Sequence, residues 1–355
     1  MEGSKKIKVL VIDDSMVFRR VVSTRLREYS GIEVVGTAKD SFEAKDKVIQ
    51  LKPDVLTLDI EMPGINGIEF LKILMEQHPV PTIVISGADG RCFEAIDAGA
   101  VGFVGKPTAD TMNQFFDDLS TKIKEASIAK LDKKTKVQSS IIQNKRKLLE
   151  NNIVRKNDKD IIAIGASMGG VEAVEKLLKQ LPLGLPPIVI TQHMPPIFTK
   201  KYAERLDRGC VLKVKEGEDG EELLSGHAYI APGALQMGII KRNGKYILDI
   251  KKGQKISGHC PSVDYLFMSV AKQAKDNSIG VILTGMGSDG ARGLLSIKNE
   301  GGYTIGQDKN SCVVYGMPMV AKKIGAVLKE ASLDMMPNII LNQLKRRQLT
   351  SKVKG

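Results

Sequence analysis

Three residues far apart in the chain, Ser167, His193 and Asp289, have the chemistry of an acyl-transfer site. A serine hydroxyl becomes a good nucleophile when an imidazole within about 2.6–3.2 Å takes its proton, and that imidazole needs a carboxylate on its other nitrogen. Each of the three follows an apolar, β-branched run of strand length, at 161–164, 187–191 and 278–283. Ser167 also lies in Gly165-x-Ser167-x-Gly169, after which Val171, Val174, Leu177 and Leu178 recur at helical spacing. A strand–turn–helix of this kind holds a hydroxyl above the carboxyl end of a sheet, beside the first amides of a helix. The backbone amides of Met168, Gly169 and Gly170 are therefore the expected oxyanion donors. Taken singly, each signal has a plainer explanation: a structural glycine turn, a loop histidine, an aspartate capping the next helix. Their common placement at strand ends favours the triad. A glycine turn can also cradle a dinucleotide phosphate, but here G-x-G-x-x-G is absent and Glu204 is too distant to hold a ribose.

A second set of polar residues falls at strand ends in the first third of the chain. Asp13 and Asp14 follow the run 8–12, Asp59 ends 54–58, Ser86 ends 81–85 and Lys106 follows 101–104. In a doubly wound sheet such ends converge on one crevice. Carboxylates there suit a hard, octahedral cation such as Mg²⁺, while the Ser86 hydroxyl and Lys106 ammonium suit phosphoryl oxygens.

The elements that must position these groups can be read from periodicity. Strand-like runs at 8–12, 33–37, 54–58, 81–85 and 101–104 alternate with helical patterns at 17–29, 42–51, 67–78, 92–98 and 111–123. They predict an N-terminal (βα)5 domain with a parallel sheet. The later region predicts a three-layer α/β domain with a mainly parallel sheet. Arg242-Asn243-Gly244-Lys245 between two apolar stretches predicts a type I′ hairpin, expected as an antiparallel edge. The expected domains are 1–122 and 160–347, joined by a basic linker at 123–159. Within that linker Ile141, Ile142, Leu148 and Leu149 suggest a short amphipathic helix.

Formal net charge is +12, but between positions 119 and 160 twelve Lys/Arg face five Asp/Glu. More than half of the excess is thus local to the linker, and neither aromatic interleaving nor a reading motif supports a nucleic-acid partner. The four cysteines are widely spaced and the four histidines form no compact cluster, so neither disulfides nor a zinc site are expected. Positions 1–8 are charged, and no run approaches about 18 apolar residues. A cytoplasmic location without membrane insertion is the expectation.

The motifs VLVIDDS, LTLDIEMPGINGIEFL, IVIS and FVGKP resemble the phospho-acceptor receiver domain of two-component signalling. By that resemblance Asp59 is the phosphorylated residue, with a sensor histidine kinase as phosphoryl donor. Asp13, Asp14, Asp59 and the backbone carbonyl of Glu61 would hold Mg²⁺. Ser86 would be the switch hydroxyl, Lys106 the contact to the acyl phosphate, and Phe103 the aromatic that changes position on activation. Further on, IAIGASMGG, ITQHMPP, IAPG, GHCPSVDYLF, ILTGMGSDGA and YGMP resemble the catalytic domain of the chemotaxis response-regulator protein-glutamate methylesterases. That family removes methyl groups from glutamyl methyl esters on the cytoplasmic signalling helices of chemoreceptors, and members can deamidate receptor glutamines. The resemblance implies nucleophile Ser167, base His193 and orienting acid Asp289, with Met286 on the active-site loop and no cofactor for hydrolysis. The sequence departs from the family pattern at Met168, where Thr is common, and at Cys260 and Met319, where basic residues are expected.

Two crevices on one chain suggest regulation, with the receiver shielding the triad until Asp59 is phosphorylated. The competing functions are a phosphorylation-switched, non-enzymatic adaptor that binds receptors or nucleic acid, and a generic serine esterase.

Overall fold

The apolar runs form strands buried on both faces, in a computed structural model that describes residues 5–87, 90–131 and 159–353. Its chain divides into two compact units, 1–135 and 136–355. In the first, β1 (Ile7–Ile12), β2 (Ile32–Ala38), β3 (Val55–Asp59), β4 (Thr82–Ser86) and β5 (Gly102–Gly105) make a parallel sheet in the order β2-β1-β3-β4-β5. Every residue of β3 and β4 is buried, as a sheet covered by helices on both sides requires. The chain changes direction across the sheet between β1 and β3, where Ile12 is in register with Leu58. Asp13 and Asp59 therefore leave the sheet side by side.

The closing helix runs Met112–Ala126, four residues past the expected domain end at 122. Ile123 and Ala126 are fully buried, so the packed face continues into what composition alone assigns to the linker. The amphipathic piece expected at Ile141–Leu149 lies outside the described residues.

The second unit has a seven-stranded parallel sheet, β6 (Ile161–Ala166), β7 (Ile188–Gln192), β8 (Lys213–Glu216), β9 (His227–Ile230), β12 (Ser278–Ile282), β13 (Tyr303–Gln307) and β14 (Lys329–Ala331). Its order is β14-β13-β12-β6-β7-β9-β8. The central strand β6 thus has β7 on one side and β12 on the other. Ala166 pairs with Gln192 and Gly165 with Ile282. Three chain segments with polar tips consequently emerge together at one end of the sheet.

The hairpin forms at the expected turn, β10 (Gln236–Arg242) against β11 (Lys245–Lys251), with Asn243 and Gly244 both at positive φ, 49° and 80°. It does not extend the edge of the large sheet. It is a two-stranded ladder of its own. Met237, Ile239, Tyr246, Leu248 and Ile250 bury one face in the core, alongside the helix Val263–Ala274. Its edges are occupied already: Ile239 N–H donates to Ser269 Oγ, and Leu223 N–H and Leu248 N–H join the loop at 217–223 to β11.

Candidate active site

The turn after β6 is shaped by contacts as much as by glycine. Gly169 adopts the left-handed conformation (φ 74°) that lets the chain reverse into the helix Gly170–Leu178. A β-carbon on Gly170 would stand 2.1 Å from Gln192 Oε1, so only glycine fits there. Ser167 N–H donates to Thr284 O (3.0 Å), and Thr284 Oγ1 donates to Met168 O (2.9 Å). The loop after β12 therefore clamps the turn that carries Ser167. Gln192 Nε2 adds a second clamp, donating to the carbonyls of both Ser167 (2.8 Å) and His193 (3.2 Å).

His193 follows β7 beside Ser167, and its backbone N–H donates to Ala166 O (3.1 Å). The ring places Nε2 2.8 Å from Asp289 Oδ2, and the side chain is 7 % exposed. Nδ1 is buried and has no hydrogen-bond partner among the described residues. Asp289 does not cap the helix that follows it, where Gly290 takes the cap position. Its carboxylate instead reaches the start of the helix Val263–Ala274 and accepts from Ser262 Oγ (2.8 Å), Val263 N–H (2.7 Å) and Asp264 N–H (2.9 Å). Burial alone would raise its pKa. The His193 ring, the Asp264 amide and the Ser262 hydroxyl outweigh burial and hold it below the usual aspartate value. An ionised Asp289 requires the proton on Nε2, which leaves a lone pair on Nδ1.

The Gly170 amide differs from expectation. Its N–H donates to Ser167 O at 2.8 Å, so it is spent within the turn, and the oxyanion set narrows to Met168 and Gly169. Met286 is half-buried in the loop between β12 and Asp289.

In the first unit Asp13, Asp14 and Asp59 offer carboxylate oxygens within 4.8 Å of one another. Lys106 Nζ donates to Asp59 Oδ2 at 2.8 Å, and Glu61 N–H donates to Asp59 Oδ1 at 3.1 Å. Ser86 ends β4 beside Lys106, whose N–H donates to Ser86 O at 2.8 Å. Phe103 is buried in β5, edge-on to Phe93 at 5.9 Å. Burial disfavours the Lys106 ammonium, but Asp59, Asp13 and Glu61 more than compensate and raise its pKa. The Asp13 carboxyl is pushed up to about 6, chiefly by burial and further by Asp59 and Asp14, against the Ser15 amide and Lys106. An all-oxygen set with mutually repelling carboxylates fits a hard divalent cation.

Residues 162–340 match the family model described as CheB methylesterase, half of the chain, and residues 9–115 match the response regulator receiver domain. The chain belongs to the CheB methylesterase family. A protein-glutamate methylesterase/protein-glutamine glutaminase of Syntrophomonas wolfei subsp. wolfei is 45% identical over 96% of this chain and 99% of its own length. One from Syntrophotalea carbinolica is 42% identical, over 97% and 99%. The crystal structure of the Thermotoga maritima CheB methylesterase catalytic domain superposes with a TM-score of 0.51 at 41% identity, covering 52% of this chain and 97% of that one.

Within this CheB-family site the sequence reading passes over two contributors. Gln192 adjoins His193 and is simply a strand residue by pattern, yet it ties the backbones of Ser167 and His193 together. His259, within GHCPSVDYLF, stacks on His193 with centroids 3.7 Å apart and planes 10° apart. The motif around it is a signal in the sequence, but a contact across 66 positions has no local signature.

The raised Asp13 pKa makes a testable statement about stability. Between about pH 4 and pH 6 the folded receiver holds a proton that the unfolded chain has released, so stability falls as pH rises through that window and stays low above it. At pH 7 without Mg²⁺, Asp13→Asn is expected to stabilise the receiver by about 1–3 kcal/mol and to flatten its profile between pH 4 and 6. Calorimetric melts with and without Mg²⁺ check this. An unchanged melting temperature would mean the Asp13 charge costs nothing.

Proposed function

We propose that this protein hydrolyses glutamate γ-methyl esters on the cytoplasmic signalling helices of chemoreceptors, releasing methanol, under control of Asp59 phosphorylation. The observation that carries the mechanism is the His193 ring, whose backbone adjoins the Ser167 turn, with one nitrogen bound to a buried carboxylate and the other buried with no hydrogen-bond partner among the described residues. Ser167 Oγ attacks the ester carbonyl carbon while His193 Nδ1 takes its proton. The common serine-hydrolase template uses the ring nitrogens the other way round. Asp289 stabilises the imidazolium without taking its proton. The amides of Met168 and Gly169 stabilise the oxyanion. Collapse breaks the bond to methoxide, which leaves as methanol with the imidazolium proton. Water, deprotonated by the same nitrogen, then cleaves the glutamyl–enzyme ester and frees a carboxylate and Ser167. Deamidation of a glutamine follows the same course with ammonia leaving, and is slower because an amide nitrogen leaves less readily than methanol. Hydrolysis needs no cofactor.

A receiver domain takes up its phosphoryl group with the help of Mg²⁺. Here Asp13, Asp14, Asp59 and the Glu61 carbonyl would hold that ion, which neutralises charge as the phosphoryl group arrives. Lys106 and Ser86 bind phosphoryl oxygens, and a sensor histidine kinase is the donor. Phe103 is the aromatic that reports the change. We assign the receiver to 1–126, the end of its closing helix, and the esterase to 160–347, acting in the cytoplasm, where receptor signalling helices lie. Among the described residues no helix is long and apolar enough to cross a membrane.

Methanol release from a methylated receptor fragment, with and without acetyl phosphate, tests the proposal. Acetyl phosphate should accelerate the wild type and leave Asp59→Asn unaffected. Equal turnover of a small soluble ester would make the protein a general esterase, and no methanol release at all would favour the adaptor.

A further inference from the structure

His193 has a partner on its face as well as on its edge. The hydrogen bond from Nε2 to Asp289 fixes one point of the ring but leaves the plane free to tilt about that contact. The His259 imidazole lies flat against it, 3.7 Å between centroids and 10° from parallel. It is held there firmly. Ile256 and His259 exchange backbone hydrogen bonds of 3.0 Å each, closing a tight reverse turn through Ser257 and Gly258. Buried Gln236 donates to His259 O (3.3 Å) and accepts from Ser262 N–H (2.9 Å). Ser257 Oγ donates to Asp264 Oδ2 (2.9 Å). The first turn of the helix Val263–Ala274 thus anchors both Asp289 and the loop that carries His259.

We propose that His259 is a positioning residue for the esterase: its ring fixes the plane of His193 and lays an aromatic face against the imidazolium that forms when Ser167 is deprotonated. The second part rests on the triad assignment made above. An aromatic face stabilises an adjacent cation, more so where water is excluded, and a branched aliphatic side chain of the same bulk does not. A ring that only filled space would be replaced by leucine without loss.

The test uses the full-length protein, a methylated receptor fragment, and the variants His259→Phe, His259→Leu and His259→Ala, with Ser167→Ala as control. Phe keeps a flat aromatic face, and Leu keeps bulk alone. Leu and Ala are expected to lower kcat roughly 10–30-fold with KM within about twofold, while Phe stays within about threefold of wild type. With only four histidines in the chain, NMR of histidine-labelled protein adds a second readout. The ring protons of His193 lose an upfield ring-current shift in Leu and Ala and keep it in Phe. If Ala does not fold, the Leu and Phe pair still decides. Leu matching Phe, or all three losing equally, overturns the proposal. A Ser167→Ala variant that still turns over refutes the triad assignment instead, whatever the His259 variants do.

Discussion

Ser167→Ala is expected to lower methanol release about a hundred-thousand- to million-fold, to the residue left by substrate binding and the oxyanion amides. Alanine removes the proposed nucleophile oxygen and leaves the turn intact. The Ser167 contacts that shape the site run through its backbone, to Thr284 and Gln192, and alanine keeps all of them. A stable, receptor-binding and inactive protein is therefore the expected product. Methanol assays on purified variant, with melting temperature as the folding control, decide it. Residual activity above about one per cent would remove Ser167 from the chemistry.

Asp289→Asn should cost about a thousand- to ten-thousand-fold in kcat and destabilise the domain as well. Each carboxylate oxygen receives a backbone N–H, Asp264 at Oδ1 and Val263 at Oδ2. Whichever way an amide is placed, its NH₂ must face one of these donors and leave it unpaired in the interior. If the NH₂ faces Val263, it also faces His193 Nε2. The imidazole then takes the other tautomer, with its proton on Nδ1, where the base should have a lone pair. If the NH₂ faces Asp264 instead, the tautomer survives but the negative charge that stabilises imidazolium is gone. Measured kcat and a thermal melt separate the two losses. Wild-type turnover in a folded variant would show that the carboxylate charge is dispensable.

The fold was legible wherever burial on both faces imposes an unbroken apolar run. IIAIGA at 161–166 and SIGVI at 278–282 can be little else than interior strands. Ser167, His193 and Asp289 could be nominated as a triad because each follows such a run. What sequence could not carry is the order of strands. The turn that carries Ser167 and the bonded pair His193–Asp289 lie at one end of the sheet because β7 and β12 flank β6, and nothing local in the chain says so. The same holds for Asp289 itself, which by position looks like a cap for its own helix and is bonded to another. The hairpin turn was plain from Asn243-Gly244, whereas its docking depends on the helix face at Ser269 and on a loop that covers its edge. Strand β14 has three residues, too few for a period to appear. The last helix, Met336–Val353, anchors through Met336, Ile340, Leu341 and Leu344, a short apolar stripe in an otherwise polar and basic stretch.

The attachment of Asp289 to a helix start has an evolutionary corollary. A descendant that abandoned hydrolysis but needed the scaffold would be free to discard the hydroxyl at 167, since among the described residues the bonds that hold its turn run through the backbone. It would not be equally free to discard the acid, because the opening amides of the helix Val263–Ala274 would lose their acceptor. Decay of the enzyme should therefore begin at the serine and reach the aspartate last, leaving pseudoenzymes that still carry an acid with nothing left to orient.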